Sequence, residues 1–422
     1  MIEDAWRIVG GRPLRGAVTP AGSKNGSLPS LAAAILLDGE TVLQRVPRIA
    51  DTETMIGMLQ ALGLEVVRRE DGTVRILNRG LESHRVPLEL ASRMRASHYL
   101  LGPVLARLGR AEIPFPGGCA IGERPLGYIL SGLEALGAQA RVEETRVVMR
   151  ADRLVGARVA LDPAYRSPGA TFNLLMAAVL AEGETVIEHA SFEPDVVVFC
   201  RLLTAAGAEI EGVGGPRLTI RGVPALKGVE HAINLDRLEA GTFFCAAVAT
   251  RGEVTARGIT RGELAALADS LEEIGATVAE SPLGTTVACP GRPRSTAVVT
   301  EPFPGFPTDL QPPFAAVLAT AKGASTIREG IFGQRLQYVS QLIAMGANIR
   351  LLDSRQAVIT GVDHLRAAEV EAQNIRDGAA LVVAALGAEG ESIVGGRRFV
   401  ARGYQDLEDK LRSLGAWIEL LD

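Results

Sequence analysis

One short phrase recurs six times along the chain and limits its fold more than any other feature. Leu62-Gly63-Leu64, Leu136-Gly137-Ala138, Ala206-Gly207-Ala208, Ile274-Gly275-Ala276, Met345-Gly346-Ala347 and Leu414-Gly415-Ala416 follow one another at intervals of 68 to 74 residues. Each ends a stretch of helical periodicity and precedes alternating residues such as Glu65-Val66-Val67, Glu209-Ile210 or Trp417-Ile418-Glu419-Leu420. The glycine therefore reads as a helix C-cap that turns directly into a strand. A second series, apolar helix then glycine then strand, falls at Gly39, Gly109, Gly183, Gly252, Gly323 and Gly390, 67 to 74 residues apart. The two series interleave, one of each per unit.

A unit of about 70 residues with two helix-glycine-strand segments buries too little surface to stand alone, so the units must pack on their neighbours. Six such units form either a solenoid or two globular lobes of three. A solenoid needs polar capping repeats, whereas the last unit stays apolar to its end at Trp417, Leu420 and Leu421. Two lobes are expected, with the boundary between units three and four in the polar stretch from Lys227 to Asp236. Hydrophobic residues make up 47% of the chain but aromatics only 4%, beside 47 glycines. The core must then be built from closely packed Ala, Val, Leu and Ile.

Charge and cysteine usage narrow the function. With 44 Lys+Arg against 49 Asp+Glu the net charge is −5, too balanced and too acidic to suggest a nucleic-acid or polyanion binder and better suited to a protein that handles small molecules. Cys119, Cys200, Cys245 and Cys289 form no CxxC pair, so neither a zinc site nor a disulfide framework is expected, and a reducing cytosol is the expected compartment. The first residues, MIEDAWRIVGGRPLRG, carry no signal-type apolar segment. No later run approaches about 18 apolar residues, so no membrane span is expected.

Function should show where single units carry polar residues that the other copies lack. Gly22-Ser23-Lys24-Asn25-Gly26 precedes a helix expected over Leu28 to Leu37. Backbone N–H groups at a helix start plus a lysine make an anion site; the plainer alternative is an N-cap serine beside a solvated lysine. Pro116-Gly117-Gly118-Cys119-Ala120-Ile121-Gly122-Glu123-Arg124-Pro125 places a thiol on a glycine loop with an arginine five residues on, a setting for a reactive cysteine. Cys200 and Cys245 lie in apolar helical runs and read as buried thiols. Asp309, in Phe306-Pro307-Thr308-Asp309-Leu310-Gln311, is by itself a helix cap worth about 1 kcal/mol. Arg95, Arg335, Arg376 and Arg402 lie in apolar settings. With Lys24 and Arg124 they supply enough guanidinium forks to hold a phosphate and a carboxylate on one ligand.

Together, Ser23-Lys24-Asn25, Met94-Arg95-Ala96-Ser97, the Cys119 loop, the Asp309 segment, the Arg335 segment and the run from Arg402 to Ala416 resemble the UDP-N-acetylglucosamine enolpyruvyl (1-carboxyvinyl) transferase family. The resemblance covers the whole chain. It is weaker to the shikimate-pathway enolpyruvyl transferases, which lack the Pro-Gly-Gly-Cys loop. It implies an α/β fold: a two-lobed inside-out α/β barrel, or prism, of six βαβαββ repeats, three per lobe. Residues 23–233 would form the first lobe with the Cys119 loop, and residues 1–22 and 234–422 the second.

The implied activity is transfer of the enolpyruvyl group of phosphoenolpyruvate to the 3-hydroxyl of UDP-N-acetylglucosamine by addition and elimination, with phosphate released, as the first committed step of peptidoglycan synthesis. Phosphoenolpyruvate would lie between the lobes, held by Lys24, Arg124 and Arg402, with added charge from Arg335 and Arg376, and Arg95 would shape the wall. Cys119 would protonate the methylene carbon or assist product release, and an epoxide antibiotic can alkylate it. Asp309 would act as base at the 3-hydroxyl. Asn25, Pro125, Leu126, Ser167, Gly169, Asp236, Glu239 and Ile331 correspond to other substrate or hinge positions.

No metal or organic cofactor is implied, because arginines already neutralise the phosphate. The partners implied are phosphoenolpyruvate and a uridine nucleotide or nucleotide sugar, with no nucleic acid and no membrane. The chain departs from the family pattern at Gly127, where an aspartate usually reads uracil, at Ile129 in place of a histidine, and at Tyr165 in place of a lysine beside which Arg166 stands. It departs also at Val198, Asn374 and Ala401. These departures leave an acceptor such as UMP, in a nucleoside-antibiotic pathway, as the alternative substrate. A non-catalytic nucleotide-sugar binder would need neither the thiol nor the base.

Overall fold

The structure is a computed structural model, and it describes residues 4–115 and 126–421. The sequence assignments to Cys119, Arg124 and Pro125 lie outside the described residues. All six glycines of the first series have left-handed φ values, from +87° to +108°. After each, the next N–H donates to the carbonyl five residues earlier: Leu64 to Leu59, Ala138 to Leu133, Ala208 to Leu203, Ala276 to Leu271, Ala347 to Leu342 and Ala416 to Leu411, at 2.9–3.1 Å. The accepting residue is leucine each time and at most 1% exposed. This is a Schellman closure with its apolar contact, repeated six times.

The second series behaves alike at five positions, with φ from +64° to +99°. In the fourth unit Arg251 takes the left-handed turn instead, at +55°. Gly252 is needed there for another reason: a Cβ would lie 2.1 Å from the Leu14 carbonyl oxygen.

Among the described residues there are six sheets. In a representative one, Arg158–Ala160 runs parallel to Glu184–Glu188, which pairs antiparallel with Arg217–Arg221 and through it with Glu209–Glu211. Several sheets borrow a strand from far along the chain. Ala5–Val9 sits between Glu391–Gly395 and Trp417–Leu421. Arg15–Val18 runs parallel to Glu253–Arg257. Leu226–Lys227 and Glu230–Ala232 both pair with Leu37–Gln44. The polar stretch from Lys227 is thus not a free linker, because Lys227 and Glu230–Ala232 pair into the first sheet.

Two compact units result, with the change falling between Asn234 and Leu235. The first holds residues 22–115 and 126–234 and the second residues 4–21 and 235–421. Each has its own apolar core. In the second unit, Arg237–Ala249, Gln311–Leu318 and Ile375–Gly387 pack on one another and are buried along nearly their whole length, as helices apolar on every side must be. In the first, Lys24–Ala33, Leu101–Leu108 and Pro168–Ala178 carry the burial. Small residues allow the close approach: a Cβ on Gly102 would lie 2.4 Å from the Asn173 carbonyl oxygen.

The helix expected over Leu28 to Leu37 begins and ends earlier, at Lys24–Ala33. Ser23 caps it at the front, three-residue hydrogen bonds from Ala34, Ile35 and Leu36 tighten its end, and Leu37 opens the next strand.

Candidate active site

In the second unit, three segments converge on one carboxylate. Asp309 lies on a single 3-10 turn, Thr308–Leu310, that feeds the helix Gln311–Leu318. Pro307 holds the cap position without a side-chain bond, so capping is not what Asp309 does here. Its Oδ1 accepts from Arg335 Nη2 and its Oδ2 from Arg376 Nη2 at 3.0 Å. The arginine side chains are 1% and 6% exposed, that of Asp309 22%. Buried guanidiniums are costly unless paired; here the carboxylate pairs both while retaining access to solvent.

Hydrogen bonds behind the arginines hold this clamp in place. Arg376 stands in the first turn of Ile375–Gly387, whose N-cap Asn374 accepts from the Arg376 and Asp377 amides at 3.1 and 3.0 Å. Its Nη1 donates to Tyr404 Oη at 2.9 Å, and that hydroxyl lies 2.8 Å from Thr242 Oγ1, on the helix Arg237–Ala249. Burial acts to lower the Arg376 pKa, but the charge of Asp309 and the Tyr404 contact outweigh it, and the net shift is upward. Burial also raises Tyr404. Glu329, 1% exposed, ties the two loops together. It accepts from the Ile331 and Phe332 amides at 2.8 and 3.0 Å and from Thr308 Oγ1 at 3.0 Å. Ile331 thus enters through its backbone. Burial pushes the Asp377 carboxyl up to about 6, against the pull of Arg335.

Arg402 follows the short helix Arg397–Val400, two residues before Tyr404, and its amide donates to Phe399 O at 3.4 Å. Asp236 caps Arg237–Ala249, accepting from the Leu238 and Glu239 amides at 2.8 and 3.1 Å. Glu239 is buried, with Lys410 Nζ at 2.6 Å on one oxygen and the Ala21 amide at 2.6 Å on the other. Burial outweighs the lysine and pushes its carboxyl up to about 7.

In the first unit, Ser23 caps the helix that carries Lys24 and Asn25, accepting from the Gly26 amide at 3.1 Å. Ser23 Oγ also donates to Asp195 Oδ1 at 2.5 Å, which takes a second bond from Asn234 Nδ2 at 2.9 Å. Lys24 is not a solvated lysine: its Nζ lies 3.6 Å from Asp51 Oδ2, with the two side chains 13% and 7% exposed. Ser23 is thus the helix cap, and the lysine beside it is paired with a carboxylate.

Ser167 caps Pro168–Ala178 and accepts from the Ala170 amide at 3.2 Å. A Cβ on Gly169 would lie 3.1 Å from His98 Nε2, and His98 Nδ1 meets the Arg95 carbonyl oxygen at 2.5 Å. His98 thus brings the Arg95 turn up to the start of that helix. Leu126 caps Gly127–Ala135 and packs on the core. Ile129 is 4% exposed, so a core role accounts for it. Tyr165 stacks on Tyr128 with ring centroids 5.9 Å apart, and Tyr128 Oη donates to Asp162 Oδ2 at 2.8 Å.

Glu329, Asp195, Asp51 and Thr242 carry no local signal in the sequence, being lone polar residues at a strand end or inside helices. Cys200 and Cys245 are buried as expected, and burial pushes the Cys200 thiol up to about 12. Among the described residues no helix is long and apolar enough to cross a membrane.

A family model described as EPSP synthase (3-phosphoshikimate 1-carboxyvinyltransferase) matches residues 8–411. The chain belongs to the enolpyruvyl transferase family. Within it, the chain is 45% identical to a UDP-N-acetylglucosamine 1-carboxyvinyltransferase of Gloeobacter violaceus, over 98% of this chain and 90% of that protein. It is 41% identical to the enzyme of that name from Shewanella sediminis, over 99% of each. Among solved structures it is similar to the enolpyruvyl transferase NikO from Streptomyces tendae, with a TM-score of 0.87 and 25% identity over 99% of both chains. It shares the fold of an EPSP synthase from Acinetobacter baumannii, with a TM-score of 0.74 and 19% identity over 99% of this chain and 100% of that one.

Proposed function

We propose that this chain transfers the enolpyruvyl group of phosphoenolpyruvate to the 3-hydroxyl of UDP-N-acetylglucosamine and releases phosphate. That reaction is the first committed step of peptidoglycan synthesis. Relatives of that name at 41–45% identity over nearly the whole chain support the acceptor. The observation that carries the chemistry is Asp309, a carboxylate oriented at both oxygens by Arg335 and Arg376. Addition requires that the acceptor hydroxyl lose a proton as its oxygen bonds to C2 of phosphoenolpyruvate, and that C3 gain one. Elimination then breaks the C2–O bond to phosphate and returns a proton from C3.

In this reading Asp309 takes the hydroxyl proton and Cys119 serves C3. Lys24, Arg124 and Arg402 hold the phosphate and carboxylate, with Arg335 and Arg376 adding charge beside the base. Such preorganised charge acts without reorganisation during the reaction. Asn25, Arg95, Pro125, Leu126, Ser167, Gly169 and Ile331 line the substrates. Each unit is read as an inside-out prism, its sheets around the three buried helices. The reactive thiol is assigned to Cys119 because the burial that raises Cys200 and Cys245 suppresses their thiolates. An epoxide should therefore label Cys119 alone, and peptide mapping that finds the label on Cys200, Cys245 or Cys289 would contradict that assignment.

A second reading, transfer to another nucleotide such as UMP, draws on Gly127 and on the Tyr128–Tyr165 stack beside it. Phosphate release from phosphoenolpyruvate with purified protein separates the two. Turnover with UDP-N-acetylglucosamine is expected, and turnover with UMP but not the nucleotide sugar would reverse the order.

A further inference from the structure

One sheet differs in charge from its counterparts. It has three strands, Arg110–Pro114, Arg146–Arg150 and Gln139–Val142. Among the described residues, its edge beyond Arg110–Pro114 is met only by the bridge from Arg85 to Glu112. The register puts Arg110 directly opposite Arg150, with Gln139 on the other side of Arg150. Like charges facing one another across a ladder repel. The sheet of Glu184–Glu188 and Arg217–Arg221 solves the same problem differently, setting Glu184 opposite Arg221 and Glu188 opposite Arg217.

On the outward face of the three-stranded sheet lies a depression of about 450 Å³ lined, among the described residues, by Arg85, Arg110, Arg141, Arg146 and Arg150, with Glu112 and Glu143 as the only carboxylates among them. Five guanidiniums against two carboxylates leave three positive charges in excess. Glu112, 4% exposed, is shared by Arg85 at 3.0 Å, Arg146 at 3.3 Å and Arg110. Among the described residues no ion pair reaches Arg150, which is exposed. Glu112 thus anchors one side of the cluster and leaves the Arg150 side uncompensated.

We propose that this depression is a binding site for a multivalent phosphate group, separate from the residues assigned to the reaction. Guanidinium forks match phosphate oxygens bidentately. Among the described residues the lining holds no aromatic side chain and only Ala140 and Val148 as apolar residues, so it reads charge and not a base. A long polyanion would meet the rest of a chain whose net charge is −5. A compact anion feels chiefly the charges within a Debye length of about 8 Å.

The test is calorimetric titration of the full-length protein with inorganic pyrophosphate and, separately, with UDP. Arg141→Glu combined with Arg150→Glu is expected to weaken pyrophosphate binding at least tenfold while turnover with phosphoenolpyruvate is unchanged. Equal losses for both ligands mean that the phosphates are read whatever bears them. A loss for pyrophosphate alone identifies the free anion, and either result supports the site. Arg150→Gln, which removes charge without reversing it, provides the same comparison should the double variant fail to fold. Pyrophosphate and UDP affinities that match the wild type in these variants would overturn the proposal, because all phosphate binding would then belong to the reaction site. Wild-type protein that ignores both ligands but retains RNA through Arg150 would overturn it as well.

Discussion

The two units share a sheet plan and a largely apolar helical core but differ in how they handle charge. The second unit buries it: Arg335, Arg376, Glu239 and Asp377 are each at most 5% exposed, and all but Asp377 meet an opposite charge directly. The first unit buries carboxylates, Asp51, Glu112 and Asp195, each at most 5% exposed, and meets two of them with more open cations: Lys24 leans on Asp51, and Arg85, Arg110 and Arg146 reach Glu112 from side chains 35–61% exposed. Buried charge is expensive unless paired, so a fold keeps it where position matters more than stability.

The sharpest way to break the contrast is Asp309→Ala. It should cut turnover by roughly 10²–10⁴-fold while leaving phosphoenolpyruvate binding nearly unchanged. It also strands two buried guanidiniums and should cost about 3–5 kcal/mol in stability. Near-normal kcat, measured beside urea unfolding, would make Asp309 an anchor for the arginines and nothing more.

A smaller effect concerns Glu239, whose folded value near 7 lies above its ordinary 4.5. Between those values the native state keeps a proton that the unfolded chain has lost. The group's contribution is therefore fully present below about pH 4.5 and is lost as pH rises through about 7. Relative to Glu239→Gln, wild-type stability should fall by about 1–3 kcal/mol from pH 4.5 to 8. Parallel unfolding curves at both pH values would show that Lys410 fully compensates the burial.

Much of the architecture was legible because it rests on repeated local chemistry. A left-handed glycine after an amphipathic helix, with leucine five residues before the residue that follows it, is visible in one unit and unmistakable in six. Strand exchange was not legible. Ala5–Val9 and Leu226–Lys227 complete distant sheets, and no periodicity encodes a partner more than 180 residues away. In the site, the motif residues could be named, but their geometry could not. That Asp309 holds two arginines and is not a cap depends on Glu329 joining two loops, a tertiary contact without a sequence pattern.

The smallest effect sharpens the first unit. A Cβ on Gly127 would meet no atom within 4 Å, and the residue opens the helix Gly127–Ala135, where an acidic side chain is favourable. Gly127→Asp should lower the KM for UDP-N-acetylglucosamine several-fold, in line with about 1 kcal/mol for one regained hydrogen bond. An unchanged KM would place the uracil elsewhere.

The central claim, that this chain performs addition and elimination at the 3-hydroxyl, is tested most directly by running the reaction in D₂O. The nucleotide-sugar product is then read by mass spectrometry beside the phosphate released. The account predicts one phosphate per product and deuterium in the vinyl group, since C3 gains a solvent proton before losing one. Product lacking deuterium, or no product from UDP-N-acetylglucosamine at all, would contradict it.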